Sequence, residues 1–162
     1  MMNESPMFNT IMSDETCDLF VHKMYNIFDT CFAGFTKENS TIDGHDYGIN
    51  QNEERQNGYI YKTRYRADGK FESFDEGYKK LKGHYNAFCN KMEELNPYKP
   101  GNADKYYNGQ LYELFRSYHW YIRTDTDKKV ALDINIHSYM QPYSREVVVY
   151  IHMNRTDIVK NN

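Results

Sequence analysis

Residues 129–138, KVALDINIHS, alternate between apolar and polar side chains, and this pattern determines how the rest of the chain is interpreted. A strand points successive side chains to opposite faces, so the alternation predicts a strand with one apolar and one polar face. Its apolar members are Val130, Leu132, Ile134 and Ile136. Residues 146–154, EVVVYIHMN, repeat the pattern, and a further strand is predicted over 118–124. Together the three segments predict an antiparallel meander with one apolar face.

A helix just before this region has the strongest local signal in the chain. Residues 73–76 read SFDE, a capping box in which the serine and glutamate side chains each bind an amide at the helix start. Seven apolar side chains then follow at steps of three and four, which places them on one face, and Asn96-Pro97 ends the helix. They are Phe74, Tyr78, Leu81, Tyr85, Phe88, Met92 and Leu95. This stripe fits either packing against the sheet or a homodimer seam.

The remaining segments have less regular patterns. An earlier helix is predicted over about 14–34, a strand with an aromatic and a basic side over 59–66, and a short third helix over about 103–117. Residues 36–57 contain few large apolar side chains and predict a long polar loop, and residues 1–12 predict a disordered tail. The predicted fold is a single α+β domain over residues 1–162, of order α-β-α-α-β-β-β, whose antiparallel sheet is covered on one face by helices.

Composition narrows the class of protein. With 16 Tyr, 9 Phe and only six leucines, tyrosine is expected to build much of the core. The abundance of Asn, Tyr, Ile and Lys is what A/T-rich codons encode, which favours a gene of the kind carried by a phage or mobile element. The formal net charge of −3 lacks the strong basic excess of a dedicated DNA-binding domain.

Motifs for enzyme chemistry are absent from the sequence. There is no GxGxxG, GxxxxGK[ST], GxSxG or HExxH pattern, and the three cysteines, Cys17, Cys31 and Cys89, form no CxxC pair. These absences predict a protein without cofactor or metal, and they favour a binding role over an enzymatic one. Residues 1–11 carry no positive charge, and no run of 18 apolar residues exists, so we expect a soluble cytoplasmic protein without a membrane partner.

The polar face of the predicted meander is the leading candidate site. Exposed Tyr, His and Arg side chains are typical of protein-binding surfaces. The candidate residues are His119, Tyr121, Arg123, Asp133, Asn135, His137, Tyr150 and His152. The leading hypothesis is therefore a small non-enzymatic protein that binds another protein, as an interaction module or inhibitor, through this face or through the predicted loop.

Two alternatives use other chemistry. A basic cluster around the 59–66 strand and the following helix start would suit nucleic acid, because cations neutralise phosphates and tyrosines stack on bases. Its members are Lys62, Arg64, Arg66, Lys70, Lys79, Lys80 and Lys82. An enzyme would instead use a histidine of the sheet face as general base, oriented by Asp133. That alternative requires a cross-strand hydrogen bond and a concave pocket on the face.

Overall fold

The computed structural model describes residues 10–160, which form seven strands and two helices. In chain order these elements are β1 (Thr10–Met12), α1 (Asp14–Cys31), β2 (Thr36–Ile49), β3 (Glu54–Arg66), α2 (Phe74–Leu95), β4 (Gly101–Tyr107), β5 (Gln110–Thr124), β6 (Lys129–Met140) and β7 (Val147–Lys160). The fold is of the predicted mixed α+β class. Its element order is β-α-β-β-α-β-β-β-β, so the predicted order α-β-α-α-β-β-β is wrong in detail.

All the described strands belong to one sheet. The strand order is β1-β5-β6-β7-β3-β2, and β4 lies beside β5 on the same side as β1. β5, β6 and β7 form the predicted meander, with longer strands than the sequence pattern indicates. Every pairing is antiparallel except that of β1 with β5, so the sheet is mixed and not wholly antiparallel.

The core lies between one face of this sheet and the two helices. Ile134 of β6 and Met153 of β7 are register neighbours on that face, and both are buried. The Phe88 ring of α2 lies 5.8 Å from the Phe28 ring of α1 and 6.3 Å from the Tyr118 ring of β5, measured between centroids. Phe88 therefore connects both helices to the sheet, and burial of such large apolar side chains is the main stabilising contribution.

The stripe of α2 faces inward. Its central members, Leu81, Tyr85, Phe88 and Met92, are buried. The stripe is thus part of the core and is not available as a homodimer seam. Neither α1 nor α2 is long and apolar enough to cross a membrane.

Both helices begin at the serines that the sequence indicates. Ser13 Oγ accepts a hydrogen bond from the Thr16 amide at 3.0 Å, and Ser73 Oγ accepts one from the Glu76 amide at 3.2 Å. The Glu76 carboxylate also accepts a hydrogen bond from the Glu72 amide at 3.2 Å. These bonds supply partners to amides that have no acceptor within the helix.

Replacing Ser73 by alanine is expected to lower the free energy of unfolding by about 1 kcal/mol, because the Glu76 amide loses its acceptor. Urea unfolding measures the effect. Ser73→Asp is the matched control, since its carboxylate keeps an acceptor at the same position and should stay within about 0.5 kcal/mol of the native chain. An equal loss in both variants would contradict the capping role.

The predicted third helix over 103–117 is wrong. Residues 101–124 form the hairpin of β4 and β5, which turns at Asn108 and Gly109. Both turn residues have positive φ, 49° and 78°, and Asn-Gly is the preferred pair for a tight hairpin turn of this kind. Tyr107 lies in β4 and Leu111 in β5, so their four-residue spacing does not indicate a helix.

The predicted loop over 36–57 is also wrong. It contains β2 and the start of β3, which pair from Thr36 with Arg66 to Ile49 with Arg55. Strand pairing uses backbone groups, so a polar sequence can form it without an apolar face. β2 is an edge strand with two irregularities in its register, features that discourage further strands from adding to an edge. The disordered tail predicted over 1–12 is wrong for Thr10–Met12, which form β1. Residues 1–9 lie outside the described part of the chain.

Candidate functional site

The sheet face that points away from α1 and α2 is called the open face here. It is formed by alternate side chains of β5, β6, β7 and β3. The continuous register of the meander brings all eight predicted sheet-face residues to it. His119 lies opposite Asp133, His137 lies between Phe115 and Tyr150, and Asn135 lies beside His152. Tyr121 and Arg123 extend the same face toward the end of β5.

One histidine and carboxylate pair joins β5 to β6. His119 Nδ1 is hydrogen-bonded to Asp133 Oδ1, which is the cross-strand contact that the enzyme alternative requires. The Tyr121 ring lies nearly parallel to the His119 ring, with 6.4 Å between the centroids. The pair is open to solvent, so it orients the imidazole more than it contributes to stability.

A second pair joins the same two strands, four residues further along β6 and six residues back along β5. His137 Nδ1 is 3.5 Å from Glu113 Oε2, and the Glu113 side chain is only 5% exposed. Lys105 Nζ of β4 is 3.7 Å from the other Glu113 oxygen. The pKa of Tyr139 is raised by burial and then by Glu113, whose carboxylate accepts the tyrosine hydrogen bond. Glu113 is therefore a buried carboxyl group shared among three polar neighbours.

Sequence reasoning missed Glu113 because it fell within the predicted third helix. As a member of β5, it has the same parity as Phe115, Ser117 and His119, and this alternation places it on the open face. The signal was present in the sequence and required only that residues 110–117 be assigned to a strand.

The centre of the open face is an aromatic patch, defined as Phe115, His137, Tyr139, Tyr150 and His152. The ring centroid of His137 lies 4.7 Å from that of Phe115 and 5.7 Å from that of His152. Arg64 Nε donates a hydrogen bond of 3.0 Å to the Tyr150 hydroxyl. These contacts hold the rings in fixed positions and leave them half-buried.

A depression of about 470 Å³ opens on this patch. It is lined by His137, Tyr139, Gln141, Tyr150 and His152. The open face is therefore not flat at its centre, and three of the predicted residues line its concave part.

The surroundings of His152 shift the pKa of its imidazole. Its pKa is lowered below the ordinary value by burial, then by His137 and by Lys62. Neither ring nitrogen forms a hydrogen bond with any residue between 10 and 160. Burial, with the nearby His137 and Lys62 as further causes, thus disfavours the protonated form of this imidazole.

This shift predicts that His152 destabilises the fold in acid. The unfolded chain binds the proton near pH 6.5, whereas the folded chain binds it only at lower pH, so stability falls as pH drops through that interval. Between about pH 7.5 and about pH 5, His152→Gln should lose less stability than the native chain in urea unfolding. His22→Gln, at an exposed position of α1, is the control and should follow the native chain.

The basic residues of the nucleic-acid alternative do not form one surface. Lys62, Arg64 and Arg66 lie on the open face of β3, where Glu38 pairs with both arginines. The Lys79, Lys80 and Lys82 group belongs to α2 on the opposite side of the sheet. Lys80 Nζ donates hydrogen bonds of 3.4 Å to the carbonyl oxygens of Asp68 and Lys70, and so it stabilises the loop before α2.

Asp43, His45 and Asp46 lie close together on the edge strand β2. Asp46 Oδ1 accepts a hydrogen bond from the Gly48 amide at 2.9 Å, and Asp43 and His45 are exposed. Over residues 10–160 no three His, Cys, Asp or Glu side chains are placed to hold a metal ion. The cysteines are unpaired, and burial raises the pKa of each thiol.

Comparison of the chain with protein-family models, curated proteins and solved structures gives no match. Function is therefore inferred from the geometry of the open face itself.

Proposed function

We propose that this protein binds another protein through the open face of its sheet. The observation that carries the proposal is the aromatic patch at the centre of a face that no element between residues 10 and 160 covers. Half-buried tyrosine and histidine rings held in position lose little conformational entropy when a partner covers them. Such rigid amphipathic groups are typical of the energetically important centre of a protein interface.

The charges of the open face also favour a protein over a nucleic acid. Arg64 pairs with Glu38, Arg66 pairs with Glu38 and Glu146, and His119 is bonded to Asp133. Lysine and arginine side chains bind a phosphate backbone by displacing the counterions condensed on it, and these arginines are already paired with carboxylates. A protein partner can cover paired charges at the rim while it buries the aromatic centre.

Acid–base catalysis is the second candidate, and the depression favours it. His137 and His152 line a concave site, and Glu113 orients the His137 ring. Oriented imidazoles in a depression are suited to proton transfer. We rank this function second because no nucleophile beside a base occurs among the lining residues.

An affinity pull-down of the tagged protein from its native lysate tests the first proposal. Parallel samples with and without nuclease separate a protein partner from nucleic acid. We expect to recover one partner protein in stoichiometric amount, with or without nuclease. Its recovery should be lost with Tyr121→Ala or with Tyr150→Ala and unchanged with Tyr59→Ala. Tyr59 is the control because it is an exposed tyrosine of β3 that lies on the opposite face of the sheet, the face that packs against the helices.

Each other result contradicts the proposal in a defined way. Recovery that vanishes with nuclease, and with Arg64→Glu combined with Arg66→Glu, would establish nucleic-acid binding instead. An empty pull-down would favour the catalytic candidate. Equal recovery with both open-face variants would place the partner on another surface.

A further inference from the structure

We propose that the depression on the open face receives a carboxylate side chain of the protein partner. This inference rests on the proposed function and specifies the chemistry of the group at the centre of the interface. The occupant would be an aspartate or glutamate that enters among His137, Tyr150 and His152, beside the ammonium group of Lys62.

The residues that line the depression have hydrogen-bonding groups without a partner among residues 10–160. His152 uses neither ring nitrogen with any residue from 10 to 160. The Tyr150 hydroxyl accepts from Arg64 Nε, so its own proton remains to be donated. Gln141 Oε1 already accepts a bond of 2.6 Å from Ser144, and the Tyr139 hydroxyl is directed to Glu113. The depression therefore has more unused donors than unused acceptors.

The charges beside the depression also favour an anionic occupant. Lys62 is adjacent to His152 in the register of β3 and β7, and it forms no ion pair with residues 10–160. Arg64 is paired with Glu38 but keeps its guanidinium over the Tyr150 ring, 5.6 Å from the centroid. Glu113 lies buried beside His137 and Lys105, and Glu38 is paired with Arg64 and Arg66. Both carboxylates therefore already have cationic or imidazole partners, whereas Lys62 has no ion-pair partner among residues 10–160.

His137 and Lys62 both disfavour the protonated form of His152. The lowering of the His152 pKa has burial as its main cause and the nearby His137 and Lys62 as its further causes. Neighbouring cations disfavour a protonated imidazole unless an anion is present. A bound carboxylate would remove this repulsion, accept hydrogen bonds from His152 and Tyr150, and gain a charge-assisted bond from Lys62.

Protonation should therefore accompany binding. The charged and titratable groups facing the two histidines are Lys62 and Arg64 of β3, Glu113 of β5, and Tyr139 and Tyr150 of β6 and β7. His152, whose protonation the surroundings disfavour in the free protein, is the group expected to take up a proton. Affinity for an acidic partner should weaken as pH rises, by up to about tenfold for each pH unit when one proton is taken up.

The test follows the ring signals of His152 and His137 by NMR in pH titrations of the full chain. The probe is a tetraglutamate peptide, compared with tetraglutamine and with inorganic phosphate at equal ionic strength. We expect tetraglutamate to raise the midpoint of the His152 titration by roughly half a pH unit or more, and tetraglutamine to leave it unchanged. Lys62→Gln should abolish the shift, whereas Lys23→Gln, at an exposed lysine of α1, should retain it.

Three results would overturn the inference. They are no shift with tetraglutamate, an equal shift in Lys62→Gln and Lys23→Gln, and a shift with phosphate alone, which would indicate a phosphate-bearing ligand. The pull-down separates this inference from the proposed function. Loss of the partner with Tyr150→Ala but full recovery with Lys62→Gln and with His152→Gln would leave protein binding in place and contradict the carboxylate.

Discussion

Replacement of Phe88 by alanine is expected to lower the free energy of unfolding by about 3–5 kcal/mol, the largest loss we predict for a single substitution. The Phe88 side chain is fully buried, and its ring contacts Phe28 of α1, Phe32 directly after α1, and Tyr118 of β5. Alanine would leave a cavity between both helices and the sheet. Three separate elements border this cavity, so none of them can fill it by a small local shift.

Urea unfolding followed by tyrosine and tryptophan fluorescence measures this loss. Tyr106→Ala is the control, because this aromatic side chain of β4 is 65% exposed and its removal should cost no more than about 0.5 kcal/mol. A loss below about 1 kcal/mol for Phe88→Ala would mean that α2 does not pack on the sheet as described.

Replacement of Tyr150 by alanine is expected to weaken partner binding by about 2 kcal/mol or more, which corresponds to roughly 30-fold in Kd. Tyr150 lines the depression and supports Arg64 through a hydrogen bond and a ring contact. Its loss would remove a rigid aromatic group from the centre of the interface and free the guanidinium that it positions. Tyr121→Ala should act in the same direction, because Tyr121 extends this face beyond His119.

Calorimetric titration with the purified partner measures both variants, and Tyr59→Ala on the other face of the sheet is the control. Tyr150 and Tyr121 are only half-buried, so both variants should remain folded, as unfolding curves can verify. Unchanged affinity in both variants would contradict binding through the open face.

The meander and the open face could be predicted from sequence because one physical rule controls both. Each strand of the meander has one side against the core, so its side chains alternate in polarity and the parity of each residue is fixed. This rule placed His137 and His152 on one face before any pairing was known. The same reasoning applies to α2, whose cap at Ser73 and inward stripe are both encoded locally.

The strands that the sequence did not predict lie at the two edges of the sheet. The side chains of β2 and β4 are exposed along almost their entire length, so neither strand has an apolar face to generate alternation. Both strands form by backbone pairing, β2 with β3 and β4 with β5. Backbone pairing leaves no pattern of side-chain polarity in the sequence, so it could not be predicted from that pattern. The role of Glu113 was hidden for the same reason, because it becomes apparent only when β4 and β5 are recognised as a hairpin.

Hydroxyl-radical footprinting of the free and partner-bound protein tests the central claim most directly, because both faces of the sheet carry tyrosines that report in one experiment. We predict that the partner protects Tyr121, Tyr139 and Tyr150 on the open face and leaves Tyr59 as reactive as in the free protein. Protection of Tyr59 with unchanged reactivity of the open-face tyrosines would contradict the proposed interface.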